Sequence, residues 1–165
     1  MVQLCKTLER SLVEMIYPKI VLIAVLLLLA GCSAEKPIPE NKDWKVSHLF
    51  KSGAYTMIGQ EGELGFIYDD SEVVRFYPNK KQKYMWHFWG KPEELQGSLK
   101  VMGISKETGE KITVIEALEL GGPNNGADGH IPSQMSLPSP GLWRLDAYIG
   151  EKLFGSITVQ VHDQK

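Results

Sequence analysis

Cysteine is nearly absent from this chain: there are two, Cys5 and Cys32, and both fall within the first 32 residues. No thiol remains further on for a disulfide framework, a zinc cluster or a nucleophile, so the folded part must hold together by core burial alone. An excess of charge of one sign is lacking as well. Setting aside Lys6, Arg10 and Lys19 against Glu9 and Glu14 leaves fifteen basic and eighteen acidic residues of the 18 and 20 present. A net near −3 gives no electrostatic footprint for nucleic acid. The catalytic vocabulary is thin too. There is no Gly-x-Ser-x-Gly elbow, no His-Glu-x-x-His and no phosphate-cradling glycine loop. The four histidines (His48, His87, His130, His162) lie far apart. The chain reads as non-enzymatic, with no metal and no other cofactor. Long hydrophobic runs are also missing: the longest, Ile20 to Ala30, falls short of the roughly 20 residues that a permanent membrane helix needs.

What that run does fit is the apolar stretch of a secretory signal, roughly 7–15 residues long. It closes on Leu29-Ala30-Gly31-Cys32, which resembles the lipobox of bacterial lipoproteins. The resemblance implies that Cys32 carries a diacylglycerol on its thiol and becomes the first residue of the mature chain. Residues 1–31 are then a signal peptide. Within them Met15-Ile16-Tyr17-Pro18-Lys19 makes a conventional basic start, whereas the preceding residues dilute the positive charge with Glu9 and Glu14. Translation is therefore read as beginning at Met15. The lipobox implies an extracytoplasmic location, anchored to the outer face of the cytoplasmic membrane.

Residues 32–43 follow as a tether. Two prolines among polar residues, Pro37 and Pro39, favour extended chain at about 3.1 Å per residue. From Trp44 to Lys165 the pattern has period two and frequent turn signals. Gly53–Ile58 and Glu63–Tyr68 read as a hairpin around Gly59-Gln60-Glu61-Gly62. Val73–Tyr77 reads as a further short strand stopped by Pro78-Asn79, and Lys83–Trp89 as an aromatic strand. Ser98–Ile104 and Lys111–Leu118 form a second hairpin. A glycine- and asparagine-rich loop, Gly121–Gly129, leads to a strand at His130–Leu137. Pro140-Gly141 suits a type II turn, whose second central position needs positive φ. In the last hairpin Trp143, Leu145, Ala147 and Ile149 share one face with Ile157, Val159 and Val161 across the turn. Arg144, Asp146 and Tyr148 take the other face, where Arg144 and Asp146 read as a surface ion pair, worth little.

Seven to nine short strands without a sustained helical period predict an all-β, antiparallel, immunoglobulin-like β-sandwich. The segments Lys83–Gly90 (KYMWHFWG) and Pro140–Tyr148 (PGLWRLDAY) are similar to those of small lipoproteins of Gram-positive, Bacillus-type bacteria. That family has an uncharacterised domain over most of the mature chain. The resemblance implies an envelope location and an immunoglobulin-like sandwich, and it brings no activity.

Three stretches are candidates for binding. On the aromatic strand, alternation puts Tyr84, Trp86 and Phe88 on one face and Met85, His87 and Trp89 on the other. If the second face is open, His87 and Trp89 form a stacking platform. The preferred reading is a strand buried on both sides, because large aromatics usually fill small cores. Lys80, Lys81 and Lys83 lie just before it, on a turn that could meet wall polymers or anionic headgroups, or could simply be solvated. The loop Gly121–His130 carries Asn124, Asn125, Asp128 and His130 but matches no calcium-loop spacing, so it reads as an ordinary connection.

The function this predicts is a non-enzymatic binding or interaction domain, held to the membrane by its lipid and meeting wall polymers or other envelope proteins. Nucleic acid is not expected as a partner. An inhibitor of extracellular or membrane proteases, presenting Gly121–His130 to a cleft, is the alternative. A small hydrolase with a dispersed site is a weaker one.

Overall fold

The computed structural model describes residues 44–163. The expected signal peptide, Cys32 with its lipobox-like residues, and the expected tether lie outside the described residues. Nine strands make up the domain: β1 His48–Ser52, β2 Tyr55–Gln60, β3 Leu64–Ile67, β4 Gln82–Phe88, β5 Ser98–Ser105, β6 Lys111–Glu119, β7 Gly129–Met135, β8 Gly141–Ile149 and β9 Lys152–Val161. They form a five-stranded sheet, β1-β2-β3-β4-β7, and a four-stranded sheet, β6-β5-β8-β9. Every pairing between these strands is antiparallel. This is the expected all-β sandwich. Its first sheet opens with four sequential neighbours, a strand division different from the ABED and CFG sheets of the immunoglobulin fold.

Alternation explains the core. Phe66 of β3 and Tyr84, Trp86 and Phe88 of β4 are buried, as are Trp143, Leu145 and Ala147 of β8 and Ile157, Val159 and Val161 of β9. The final hairpin therefore has the inward set that its period requires, and Gly141, which opens β8 after a bend, takes a positive φ of 111°.

Three expectations are corrected. Val73–Tyr77 is not a strand. Asp70 adopts φ 60°, the N–H groups of Val74 and Arg75 both donate to Ser71 O at 3.0 Å, and only Phe76 makes an isolated bridge, to Val161. Apolar, β-branched composition lost here to local turn bonding. Second, a strand forms at His48–Ser52, where none is expected; it lies at a sheet edge, with one flank paired by no strand among the described residues.

Third, Arg144 and Asp146 are not a solvated surface pair. Their side chains are 15% and 4% exposed, with Arg144 Nε 2.9 Å from Asp146 Oδ1. Arg144 Nη2 donates to Oδ2 at 3.1 Å and Ser156 Oγ donates to Oδ1 at 2.7 Å. The Trp44 ring lies over the guanidinium, 5.9 Å from its centroid.

Past Trp44 the chain is stitched to β9. Ser47 N donates to Thr158 O and Thr158 N donates to Ser47 Oγ, both at 2.9 Å. His162 N then donates to Phe76 O at 2.9 Å. These contacts cover part of the outer edge of β9. The outer edge of β1 pairs with no strand among the described residues.

Candidate functional site

The aromatic strand has both faces occupied. Tyr84, Trp86 and Phe88 enter the core, and His87, on the opposite face, is fully buried as well. Its cover comes from the far side of the sequence. Gly121 and His130 exchange backbone bonds of 2.8 and 3.2 Å, and Asn124 and Ala127 exchange bonds of 3.0 and 2.9 Å. Between them Asn125 and Gly126 take φ 50° and 81°, the two consecutive positive values of a type I′ turn, for which Asn-Gly is a preferred pair. The loop is thus a tight hairpin tip folded over β4.

Several of its polar groups are engaged. Asn125 Nδ2 lies 3.1 Å from His87 Nε2, and Trp89 Nε1 donates to Gly126 O at 2.7 Å. Ser52 Oγ donates to Asn125 O at 2.9 Å, and Gly90 N donates to Asp128 Oδ2 at 3.0 Å. His130 Nδ1 sits 2.6 Å from Gly122 O. Asn125, Asp128 and His130 are therefore turned to different partners. No group of three or more His, Cys, Asp or Glu placed to hold a metal occurs among the described residues.

The open stacking platform is accordingly corrected. His87 is closed in, and Trp89 is half-buried, with Phe50 edge-on at 6.0 Å and its indole N–H taken by the loop. The preferred reading of a strand covered on both faces agrees with this burial.

His87 is held as a neutral ring. Nδ1 is 3.2 Å from Met85 O, so an N–H there donates while Nε2 accepts from the Asn125 amide. Burial, more than its other surroundings, pushes its pKa below the usual 6.5. The unfolded chain then takes up the proton first. The His87 contribution is unaffected above about pH 6.5 and is lost as pH falls from there toward the lower folded value. A His87→Gln variant should show a flatter loss of urea midpoint between pH 7.5 and pH 5 than the parent. Equal slopes would overturn this account.

Lys80, Lys81 and Lys83 are all exposed. Asn79 places them: it adopts φ 60°, a value asparagine tolerates, and its N–H donates to Leu137 O at 2.8 Å. Lys80 Nζ stands 5.2 Å over the Tyr77 ring. Lys83 and Trp89 lie six residues apart along β4, about 20 Å at ~3.3 Å per residue. The two halves of the predicted binding set therefore stand at opposite ends of one strand and form no single site.

Sequence reasoning missed another feature, a groove of ≈ 170 Å³ at the mouth of the sandwich. The first sheet has one strand more than the second, and the groove lies beside that extra edge strand, β1. Val46, Leu49, Ile58 and Tyr68 line its apolar side, and Asp70, Gln160 and His162 its polar end. Tyr68 Oη donates to Asp70 Oδ1 at 3.1 Å, and Arg75 Nε donates to the same oxygen at 3.1 Å. The Arg75 hydrogen bonds hold the Asp70 carboxyl below the usual carboxylate range. His162 Nε2 is 3.8 Å from Asp70. Burial raises the Tyr68 hydroxyl, with Asp70 adding to it. No local spacing joins Asp70 to His162, which are brought together only by the fold.

A family model described as "Domain of unknown function (DUF4871)" matches residues 36–159. The fold recurs, with a TM-score of 0.56, in the X-ray crystal structure of "a Putative Lipoprotein from Bacillus anthracis". That protein is 21% identical, and the match covers 73% of this chain and 87% of that one. At this identity the likeness is one of fold. None of the curated proteins matches this chain.

Proposed function

We propose, for a chain that belongs to the DUF4871 family, a non-enzymatic binding domain anchored by a lipid on Cys32 to the outer face of the cytoplasmic membrane. The apolar run ending in Leu29-Ala30-Gly31-Cys32 supports the anchor. The exposed lysine turn is the observation that carries the binding role: Lys80, Lys81 and Lys83 stand in solvent at one end of the domain. Each basic residue near an anionic surface contributes about 1 kcal/mol of attraction. Phosphate-rich wall polymers, anionic headgroups or acidic envelope proteins would serve as that surface.

The protease-inhibitor alternative gains no support from the loop on which it relied. Gly121–His130 is pinned to β4 and to Ser52, so it does not project as a bait.

The test is co-sedimentation of the full chain with purified cell wall and, separately, with anionic vesicles, at low and high salt. A Lys80/Lys81/Lys83→Glu variant and a Cys32→Ser variant run beside it. Binding to wall that is weakened by salt and lost in the lysine variant supports the reading. Wall binding that persists in that variant removes the lysine turn from it. A Cys32→Ser chain that still fractionates with cell membranes removes the lipid anchor.

A further inference from the structure

We propose that the mouth between β1 and β9 is a docking groove for an extended segment of a protein partner that carries a lysine or arginine side chain. Three observations converge there. The outer edge of β1 is paired by no strand among the described residues, so its backbone can receive a further strand, the usual route by which extended peptides add to sheets. The groove beside it is ≈ 170 Å³, smaller than the roughly 300–1,000 Å³ of small-molecule pockets. It holds one long side chain. Its walls match such a chain along their length, because Val46 and Leu49 are 44% and 47% exposed and Ile58 lies behind them. An aliphatic stem covers these groups while its charged head stays with polar partners.

The polar end selects the sign of the head. Asp70 is kept ionised by Arg75 and accepts from Tyr68 and Arg75, and Gln160 and His162 lie beside it. Asp69 and Asp163, both exposed, flank Asp70 and His162 in the chain. Arg75 offsets one negative charge here, but Asp69, Asp70, Glu72 and Asp163 outnumber it, so a lysine or arginine head meets net opposite charge and a carboxylate head net like charge. This proposal rests on no property of the anchor or of the lysine turn.

The test uses the full chain in zwitterionic nanodiscs. Fluorescence anisotropy follows a labelled synthetic peptide of alternating threonine and valine with one central lysine, beside the same peptide with central glutamate. The lysine peptide should bind about tenfold tighter or more, the size of a charge-assisted contact. Asp70→Asn keeps a residue that tolerates φ 60° and should bring the two peptides within about threefold of each other. Leu49→Arg fills the groove with the chain's own guanidinium and should abolish binding, whereas Lys80→Glu should leave it unchanged. Absent binding, or equal binding of both peptides to the parent chain, overturns the proposal. So does self-association that Leu49→Arg abolishes while both peptides stay inert, since the occupant is then a second copy.

Discussion

Replacing Phe66 with alanine is expected to remove about 3–5 kcal/mol of folding free energy, the range for truncating a buried aromatic. Phe66 is fully buried at the centre of the first sheet, opposite Ile58 of β2 and Trp86 of β4. Its ring centroid lies 5.0 Å from Trp86, 5.3 Å from Tyr84, 6.1 Å from Tyr68 and 6.2 Å from Phe76. Four aromatic neighbours cannot collapse far into the space it leaves, because Phe76 and Tyr84 are themselves stacked at 4.6 Å. Domains of this size have roughly 5–15 kcal/mol in total, and no disulfide shares the load here. Urea unfolding followed by tryptophan fluorescence reads the change directly. Tyr55→Ala, at an exposed position, should stay within about 0.5 kcal/mol. A Phe66→Ala loss under about 1 kcal/mol would show that the core lies elsewhere.

Asp146→Ala should cost nearly as much, about 3 kcal/mol, for a different reason. It removes no large apolar volume. It leaves the Arg144 guanidinium beneath Trp44 without the carboxylate that took two of its N–H groups. Stranding one member of a buried ion pair is strongly destabilising, whereas replacing both members with apolar groups is often close to neutral. A double Arg144→Met/Asp146→Leu variant should therefore recover most of the loss in thermal or urea unfolding. If the double variant is as unstable as the sum of its singles, the pair is worth more than its desolvation and this account fails.

Where the sequence carries a periodic signal at full length, the structure follows it. Trp143, Leu145, Ala147 and Ile149 alternate without interruption, and all four are buried. Single alternation says which side a residue takes, and it does not say what covers that side. Alternation puts Arg144 and Asp146 on the outer face, but Arg144 is covered by Trp44, a hundred residues earlier, and Asp146 is held by Arg144 and by Ser156 of β9. The same holds for His87, covered by Asn125. There a local clue did exist, since Asn125-Gly126 is a strong hairpin pair hidden in a segment read as loop. For Val73–Tyr77 the clue pointed the wrong way. Its β propensity was overridden by Asp70 in a left-handed conformation and by turn bonds to Ser71. The mouth groove had no local signal, because its lining comes from β1 and the residues before it, β2, the residues after β3, and the end of β9 with His162 beyond it.

The two Ser47–Thr158 hydrogen bonds also decide how the domain would bear a pull. A force drawn along the residues before Trp44 reaches the indole over Arg144 first, then these two bonds, and only afterwards the ladder between β1 and β2. Two bonds in series with a stacked ring are a weak link ahead of a five-pair ladder. Under tension they would yield early, releasing residues 44–47 while the sandwich behind them stays whole.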